Sequence, residues 1–211
     1  GAIADLDFFD RAVAFCKRNE IALLHDACYT EVAFDGYQPV SALQIPGSKG
    51  VCLEFHSLSK SYNMTGWRVG MAVGNANLIR ALFLVKSNLD SGVSQAVQQM
   101  GIRAMETPQS YLDERNAHYQ RRRDKVIGAL KGLGLNAEPP KASLYVWTPV
   151  PEGFTSASFA TAILDELDMV VTPGTGYGKF GEGYIRLSLT LSDDDLEEGV
   201  RRLESWKVPT P

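Results

Sequence analysis

Apolar residues along the first half of the chain follow two patterns, a helical spacing and short continuous runs. A helical spacing over residues 5–19 predicts a helix, with Asp5 as its N-cap. Three short continuous apolar runs predict buried strands at residues 21–24, 51–55 and 69–73. Helical patterns return over residues 77–86 and over residues 94–130, where Pro108 predicts a kink. Helices placed between continuous apolar strands favour a mostly parallel α/β sheet that is covered on both faces.

The pattern changes after a loop over residues 132–140, which is rich in glycine and proline. The elements predicted beyond it are a strand, a helix, two strands and a last helix, at residues 143–148, 156–167, 169–172, 184–189 and from Ser192 onward. Ser192 is the expected N-cap of the last helix, because three aspartates follow it in the first turn. This order of elements predicts a smaller α+β domain.

Composition and charge exclude several kinds of partner. The 211 residues are 45% hydrophobic and 22% charged, which is the profile of an ordinary globular protein. The net charge of −4 gives no reason to expect nucleic acid or an anionic membrane as a partner. The basic run at residues 121–123 has acidic neighbours, and we interpret it as a solvated helix face. No apolar stretch approaches the roughly 20 residues that a bilayer requires, and no leader pattern is visible.

The cysteines and histidines indicate a reduced compartment and no metal site. The three cysteines form no CxxC pair, so reduced thiols in a cytoplasmic protein fit best. The three histidines have no metal-ligand spacing to each other or to a cysteine.

Two of the predicted strands are followed by polar residues. Asp26 and Tyr29 follow the first strand, and Ser57, Ser59 and Lys60 follow the second. Ligands of open α/β sheets bind at the carboxyl ends of the strands. Lys60 by itself is compatible with a solvated loop charge, and Asp26 with an ordinary turn cap.

Together these residues match the chemical demands of pyridoxal phosphate. A lysine in a semi-enclosed site is a Schiff-base nucleophile for a carbonyl cofactor. The pyridine nitrogen needs an acid, the ring oxygen a donor, and the phosphate hydroxyls and a bidentate cation. One candidate exists for each demand: Asp26, Tyr29, Ser57 with Ser59, and Arg68.

The chain resembles the fold-type I, class I and II aminotransferases. The resemblance rests on His25-Asp-Ala-Cys-Tyr29 and on Ser57-Leu-Ser-Lys-Ser-Tyr-Asn-Met-Thr-Gly-Trp-Arg-Val-Gly70. A third segment, Tyr184-Ile-Arg-Leu-Ser188, resembles the strand whose arginine binds the substrate α-carboxylate. The resemblance runs through the whole chain. It implies that residues 1–106 are the later part of the large cofactor-binding domain and that residues 107–211 are the small domain.

The resemblance also implies a role for each site residue. Lys60 binds the cofactor covalently and is the catalytic residue, while Asp26 pairs with the pyridinium nitrogen. Tyr29 donates to the ring oxygen, although simple packing is the alternative for this side chain. Ser57 and Arg68 hold the phosphate, and Ser59 adds a hydroxyl or is only a turn former. Arg186 receives the substrate carboxylate, with a strand-edge charge as the alternative.

A glycine-rich segment next to Arg186 mimics a nucleotide-binding fingerprint. Residues 176–181 match GxGxxG, but that fingerprint must follow a strand and open a helix, whereas this one precedes a strand. We interpret it as a flexible loop that closes over the substrate beside Arg186.

The resemblance implies transfer of an amino group between an amino acid and a 2-oxo acid. Residues 63–67 and 86–92 resemble LL-diaminopimelate aminotransferases and their alanine- or aspartate-using relatives, which favours LL-diaminopimelate with 2-oxoglutarate. The alternatives are another fold-type I enzyme, such as a C–S lyase, and a non-catalytic effector-binding module. We expect a homodimer, and we expect these residues to be the C-terminal part of a longer enzyme, inactive when expressed alone.

Overall fold

The computed structural model describes residues 1–210, and these form two compact units. The first unit is Ile3–Glu114, and the second contains Gly1, Ala2 and the chain from Arg115 onward. The domain boundary predicted between residues 106 and 107 stays a prediction. Within the described residues, no helix is long and apolar enough to cross a membrane.

The first unit contains a three-stranded sheet with helices around it. Its elements are α1 (Leu6–Arg18), β1 (Leu23–Asp26), β2 (Cys52–Ser57), α2 (Leu58–Ser61), β3 (Gly70–Gly74), α3 (Ala76–Leu89) and α4 (Gln95–Met105). Asp5 caps α1 as predicted, because its side chain accepts a hydrogen bond from the backbone of Phe8 at 2.8 Å. Phe9 and Val13 of α1 are buried with Cys52 of β2, so α1 packs on the sheet.

The sheet is mixed in strand direction. Its order is β1-β2-β3, with β1 parallel and β3 antiparallel to β2. Gly70 pairs with Ser57, so the segment between β2 and β3 leaves and re-enters the sheet at one edge, which requires an antiparallel return. The α/β class is confirmed, although only one of these two strand pairs is parallel.

Two predicted elements in this part of the chain need correction. The first strand begins at Leu23 rather than at residue 21, and it continues into Asp26. The long helix predicted over residues 94–130 is two helices, α4 and α5 (Gln109–Gly132). Pro108 lies between them, where its missing N–H and ring geometry interrupt the helical hydrogen bonds.

The second unit is an antiparallel sheet packed against helices. It contains most of α5, followed by β4 (Tyr145–Pro149), α6 (Ser156–Leu167), β5 (Thr172–Pro173), β6 (Tyr184–Ser188) and α7 (Asp193–Ser205). The strand order is β4-β6-β5, and both pairings are antiparallel. Ser192 caps α7 as predicted, with its side chain accepting from the backbone of Asp195 at 3.2 Å.

The core of the second unit lies between one face of the sheet and three helices. Sixteen buried residues form it, among them Leu130 of α5, Phe159 of α6, Ile185 of β6 and Val200 of α7. The strand predicted at residues 169–172 is shorter and later than expected, because Met169 and Val171 pack against this core without pairing in the sheet.

Apolar side chains remain exposed on the first unit. No residue of α3 is buried, although its sequence is rich in apolar side chains. Those exposed on this helix are Phe83, Leu84, Val85 and Leu89. Exposed apolar side chains in a larger patch commonly mark a surface that binds other polypeptide.

Candidate functional site

The predicted cofactor residues converge at one edge of the first unit's sheet. Asp26 is the last residue of β1 and Ser57 the last of β2, and the two strands are parallel with Asp26 opposite Phe55. Both carboxyl ends therefore meet at the same edge. Because β3 is antiparallel and starts opposite Ser57, Arg68 also lies at this edge, two residues before the strand.

Lys60 lies on the short helix that starts at this edge. Ser57 caps α2, since its hydroxyl accepts a hydrogen bond from the backbone N–H of Ser59 at 3.2 Å. The Lys60 Nζ lies 6.0 Å from the centroid of the Tyr29 ring. The structure therefore brings a lysine, a phenol and a serine hydroxyl to the same strand ends.

Arg68 reaches this edge through a loop that folds back on α2. The Thr65 hydroxyl donates to the carbonyl of Ser59 at 3.1 Å, and the Arg68 guanidinium donates to the carbonyl of Thr65 at 3.1 Å. Arg68 itself adopts a left-handed conformation with φ 52°, which costs about 1 kcal/mol or more for a residue other than glycine. Strain of this kind persists where the surrounding structure requires the conformation, here to present an exposed guanidinium beside α2.

The pKa of Cys28 reflects the charges of Asp26 and Lys60 at this edge. Burial, a hydrogen bond to Asp26 and the charge of Asp26 raise the pKa of the Cys28 thiol to about 11, against the opposing charge of Lys60. The thiol therefore stays protonated at neutral pH, and Lys60 has no competing thiolate nucleophile beside it.

The set of donors and acceptors at this edge suits a phosphorylated pyridine aldehyde. A carboxylate pairs with a protonated ring nitrogen, a phenol donates to a ring oxygen, and an amine attacks the aldehyde. Two serine hydroxyls and a guanidinium suit a phosphate. All six residues predicted for this cofactor are brought together, namely Asp26, Tyr29, Ser57, Ser59, Lys60 and Arg68.

A buried carboxylate on β2, close to the predicted site residues, was not predicted from the sequence. Glu54 of β2 is only 1% exposed, and its carboxylate pairs with His25 Nδ1 and His56 Nε2, both at 2.8 Å. It also accepts from the Ser41 hydroxyl at 2.7 Å and from the backbone of Ala42 at 3.1 Å. The available signal was the spacing of Glu54 and His56, which places both on one face of a strand.

Arg186 lies in the second unit, on the outward face of its sheet. Its Cζ lies 4.0 Å from the ring centroid of Tyr145 and 4.5 Å from that of Tyr177. Tyr145 belongs to β4, whereas Tyr177 belongs to the glycine-rich loop. The predicted position of that loop beside Arg186 is thus borne out, while its flexibility stays a prediction.

The sequence and the fold are similar to those of aminotransferases. The family model for aminotransferase class I and II matches residues 1–203. LL-diaminopimelate aminotransferase of Dehalococcoides mccartyi (strain ATCC BAA-2266 / KCTC 15142 / 195) is 58% identical over 207 residues, which are 98% of this chain and 53% of that protein. LL-diaminopimelate aminotransferase 2 of Trichormus variabilis is 53% identical over 204 residues, covering 97% of this chain and 52% of that protein.

Solved structures give the same picture. Apo-BacF from Bacillus subtilis superposes with a TM-score of 0.91 at 34% identity, over 99% of this chain and 53% of its own. The probable N-succinyldiaminopimelate aminotransferase from Thermus thermophilus has a TM-score of 0.89 at 33% identity, over 97% and 55%. The chain therefore spans about half the length of the relatives that it matches.

Proposed function

The chain belongs to the class I and II aminotransferase family, and on that premise we propose that it is the C-terminal part of a pyridoxal phosphate-dependent aminotransferase. Members of this family use that cofactor. The observation that carries the proposal is the convergence of Asp26, Lys60 and Arg68 at the carboxyl ends of β1 and β2. If these side chains were only solvated charges, nothing would require a carboxylate, an amine and an arginine in a strained conformation to lie at the same edge.

Each residue at the edge would hold or move one group. The Asp26 carboxylate keeps a proton on the pyridine nitrogen, and the Tyr29 hydroxyl donates to the ring oxygen. Ser57, Ser59 and Arg68 bind the phosphate. When bound, the cofactor supplies an electron sink that delocalises the negative charge developing at the substrate Cα.

Lys60 has two tasks in this proposal. Its Nζ would hold the cofactor covalently at the carbonyl carbon with loss of water, and a substrate amine bound there in its place would leave the Nζ free. The freed Nζ takes the proton from the substrate Cα as a general base. The neighbouring Cys28 does not compete for these tasks, because its raised pKa keeps the thiol protonated.

We further propose LL-diaminopimelate as amino donor and 2-oxoglutarate as acceptor, with Arg186 binding the α-carboxylate. This choice is supported by the names of the relatives at 58% and 53% identity and by the motifs at residues 63–67 and 86–92. We propose that the enzyme works as a homodimer in the cytoplasm, where thiols stay reduced. All three cysteines within residues 1–210 are free, in keeping with that compartment.

The test uses the full-length protein that contains this chain. A panel of amino donors, including LL-diaminopimelate and aromatic amino acids, is assayed with 2-oxoglutarate by measuring glutamate formed. Lys60→Ala should abolish turnover and the cofactor's absorbance change on binding, whereas Lys49→Ala, at an exposed position of the same unit, should alter neither. Near-normal turnover by Lys60→Ala would end the proposal. Elimination without glutamate would point to a lyase, and activity confined to aromatic donors would refute the choice of substrate.

A further inference from the structure

The sheet of the second unit carries aromatic side chains on the face that does not pack on the core. Along β4 and β6 the buried positions alternate with less buried ones, as in a sheet with one face against the core. The positions facing away from the core include Tyr145, Trp147, Tyr184 and Arg186. Such a face usually carries polar side chains, so three aromatic residues around one arginine are not explained by core packing.

These aromatic residues form a connected set around Arg186. Trp147 is directly opposite Arg186 in the strand register, and Tyr145 is two residues earlier on the same face. Trp147 stacks on Tyr184 with ring centroids 5.5 Å apart, and it meets Tyr177 edge-on at 5.9 Å. The arginine therefore lies within an aromatic surface built from two strands and one loop.

The glycine-rich loop is built to place Tyr177 at this position. A Cβ on Gly174 would lie 2.1 Å from the carbonyl oxygen of Gly181, and one on Gly181 would lie 2.0 Å from that of Gly174. Only glycine allows the two ends of the loop to approach so closely. Tyr177 ends the 3₁₀ turn that starts at Gly174, and its ring then contacts the Arg186 guanidinium.

We propose that Tyr145 and Tyr177 are positioning residues that hold the Arg186 guanidinium for an incoming carboxylate. At Cζ distances of 4.0 and 4.5 Å from the ring centroids, no water molecule fits between the cation and either ring. The rings attract the cation through their π faces, while all five N–H donors of the guanidinium remain in its own plane. A carboxylate then meets a cation that is already oriented and partly stripped of water, so less entropy is lost on binding.

This inference rests on the proposed function, specifically on the binding of the substrate carboxylate by Arg186. It goes further by assigning the orientation of the arginine to two tyrosines. It also gives Gly181 of the GxGxxG-like segment a task, since its contact with Gly174, just before the segment, fixes the loop from which Tyr177 reaches the arginine.

The test measures the binding of maleate, a dicarboxylate without an amino group, to the full-length protein by calorimetry. Tyr177→Ala and Tyr145→Ala should each raise the dissociation constant about 3- to 10-fold, as expected for the loss of one cation–π contact. Tyr177→Phe and Tyr145→Phe keep the ring and should change it less than about 2-fold. The control is Val170→Ala, which shortens an 88% exposed apolar side chain of the same unit outside this loop and should leave binding unchanged.

Kinetics provide a second readout that a general loss of structure would not reproduce. Tyr177→Ala should raise KM for the amino donor with little change in kcat, because the tyrosine acts on carboxylate binding. Thermal unfolding monitors folding, and Tyr177→Leu or Tyr145→Leu replaces any alanine variant that fails to fold. Leucine keeps bulk without a π face, so it should weaken maleate binding as alanine does.

The outcomes separate this inference from the proposed function. If Arg186→Ala abolishes maleate binding while the alanine variants of both tyrosines bind normally, the positioning role is wrong and the function stands. If Arg186→Ala binds maleate like the unmodified protein, the carboxylate role of Arg186 fails, and the inference fails with it. Equal weakening by the phenylalanine and alanine variants would also overturn it, because the ring faces would then not be responsible.

Discussion

Glu54 and His25 are paired across β1 and β2 through a hydrogen bond of 2.8 Å between the carboxylate and Nδ1. The two residues are direct register partners in the parallel strands. Each belongs to a strand that ends in a proposed cofactor residue, with His25 next to Asp26 and Glu54 three residues before Ser57. The pair therefore links the two strands just before the edge at which the proposed chemistry takes place.

Protonation of Glu54 should lower the stability of the folded protein at acid pH. Burial alone would raise its pKa, but hydrogen bonds from His25, Ser41 and His56, together with the charge of His25, lower it to about 2. Because the folded pKa lies below the unfolded value, the contribution to stability is fully present above about pH 5 and is lost as the pH falls from about 4.5 towards 2. Its size should be at most about 3 kcal/mol.

Urea unfolding of the full-length protein between pH 7 and pH 3 checks this prediction. Glu54→Gln should be less stable than the unmodified protein at pH 7, and the difference should shrink as the pH falls. Glu114→Gln changes an exposed acid of the same unit and serves as the control. A stability difference that stays constant down to pH 3 would contradict the assigned pKa.

Cys28 should be an unreactive thiol, and its reactivity should rise when Asp26 is neutralised, although burial still raises its pKa. With its pKa raised to about 11, less than about 1% of the thiol is ionised at pH 8. Asp26→Asn removes both the charge and the strong acceptor, so it should increase the thiolate fraction and the alkylation rate by iodoacetamide.

The measurement is the pH dependence of Cys28 alkylation in cofactor-free protein, followed by mass spectrometry. Asp10→Asn, an exposed position of α1, should leave the rate unchanged. An alkylation rate that is the same in Asp26→Asn and in the unmodified protein would show that Asp26 does not act on this thiol. Because this readout needs no turnover, it tests the geometry of the edge independently of the reaction.

Arg68 should contribute to cofactor affinity through its forked guanidinium, beyond its charge. Arg68→Lys keeps a point charge but loses the planar pair of donors, and we expect about a tenfold weaker binding of pyridoxal phosphate. Fluorescence titration of the cofactor into the apoprotein measures this. Arg80→Lys, on α3, is the control and should bind normally. Equal affinity of Arg68→Lys and the unmodified protein would exclude a bidentate phosphate contact.

The 211 residues expressed alone should associate or aggregate and bind the cofactor weakly. The reason is the exposed apolar side chains of α3, together with a length about half that of the relatives. Size-exclusion chromatography and cofactor titration, with and without the upstream half co-expressed, check this. A monodisperse, cofactor-saturated and active 211-residue protein would contradict the expectation.

The sequence by itself determined the helices with clear caps, and it singled out the residues that we propose to bind the cofactor. Asp5 and Ser192 cap α1 and α7 as predicted, because capping depends on residues that are close in sequence. The motif with Lys60 and Arg68 could likewise be recognised, since both residues lie in one short segment whose spacing is specific. These features are local, so the order of residues carries them.

Tertiary structure decided what depends on pairing between distant segments. The antiparallel direction of β3, the two-residue length of β5 and the burial of Glu54 under His25, His56 and Ser41 all follow from which strands become neighbours. The contact of Tyr145 and Tyr177 with Arg186 is of the same kind, because it joins two strands and a loop. Apolar periodicity specifies which face of a strand is buried, but it does not specify the partner that covers the other face.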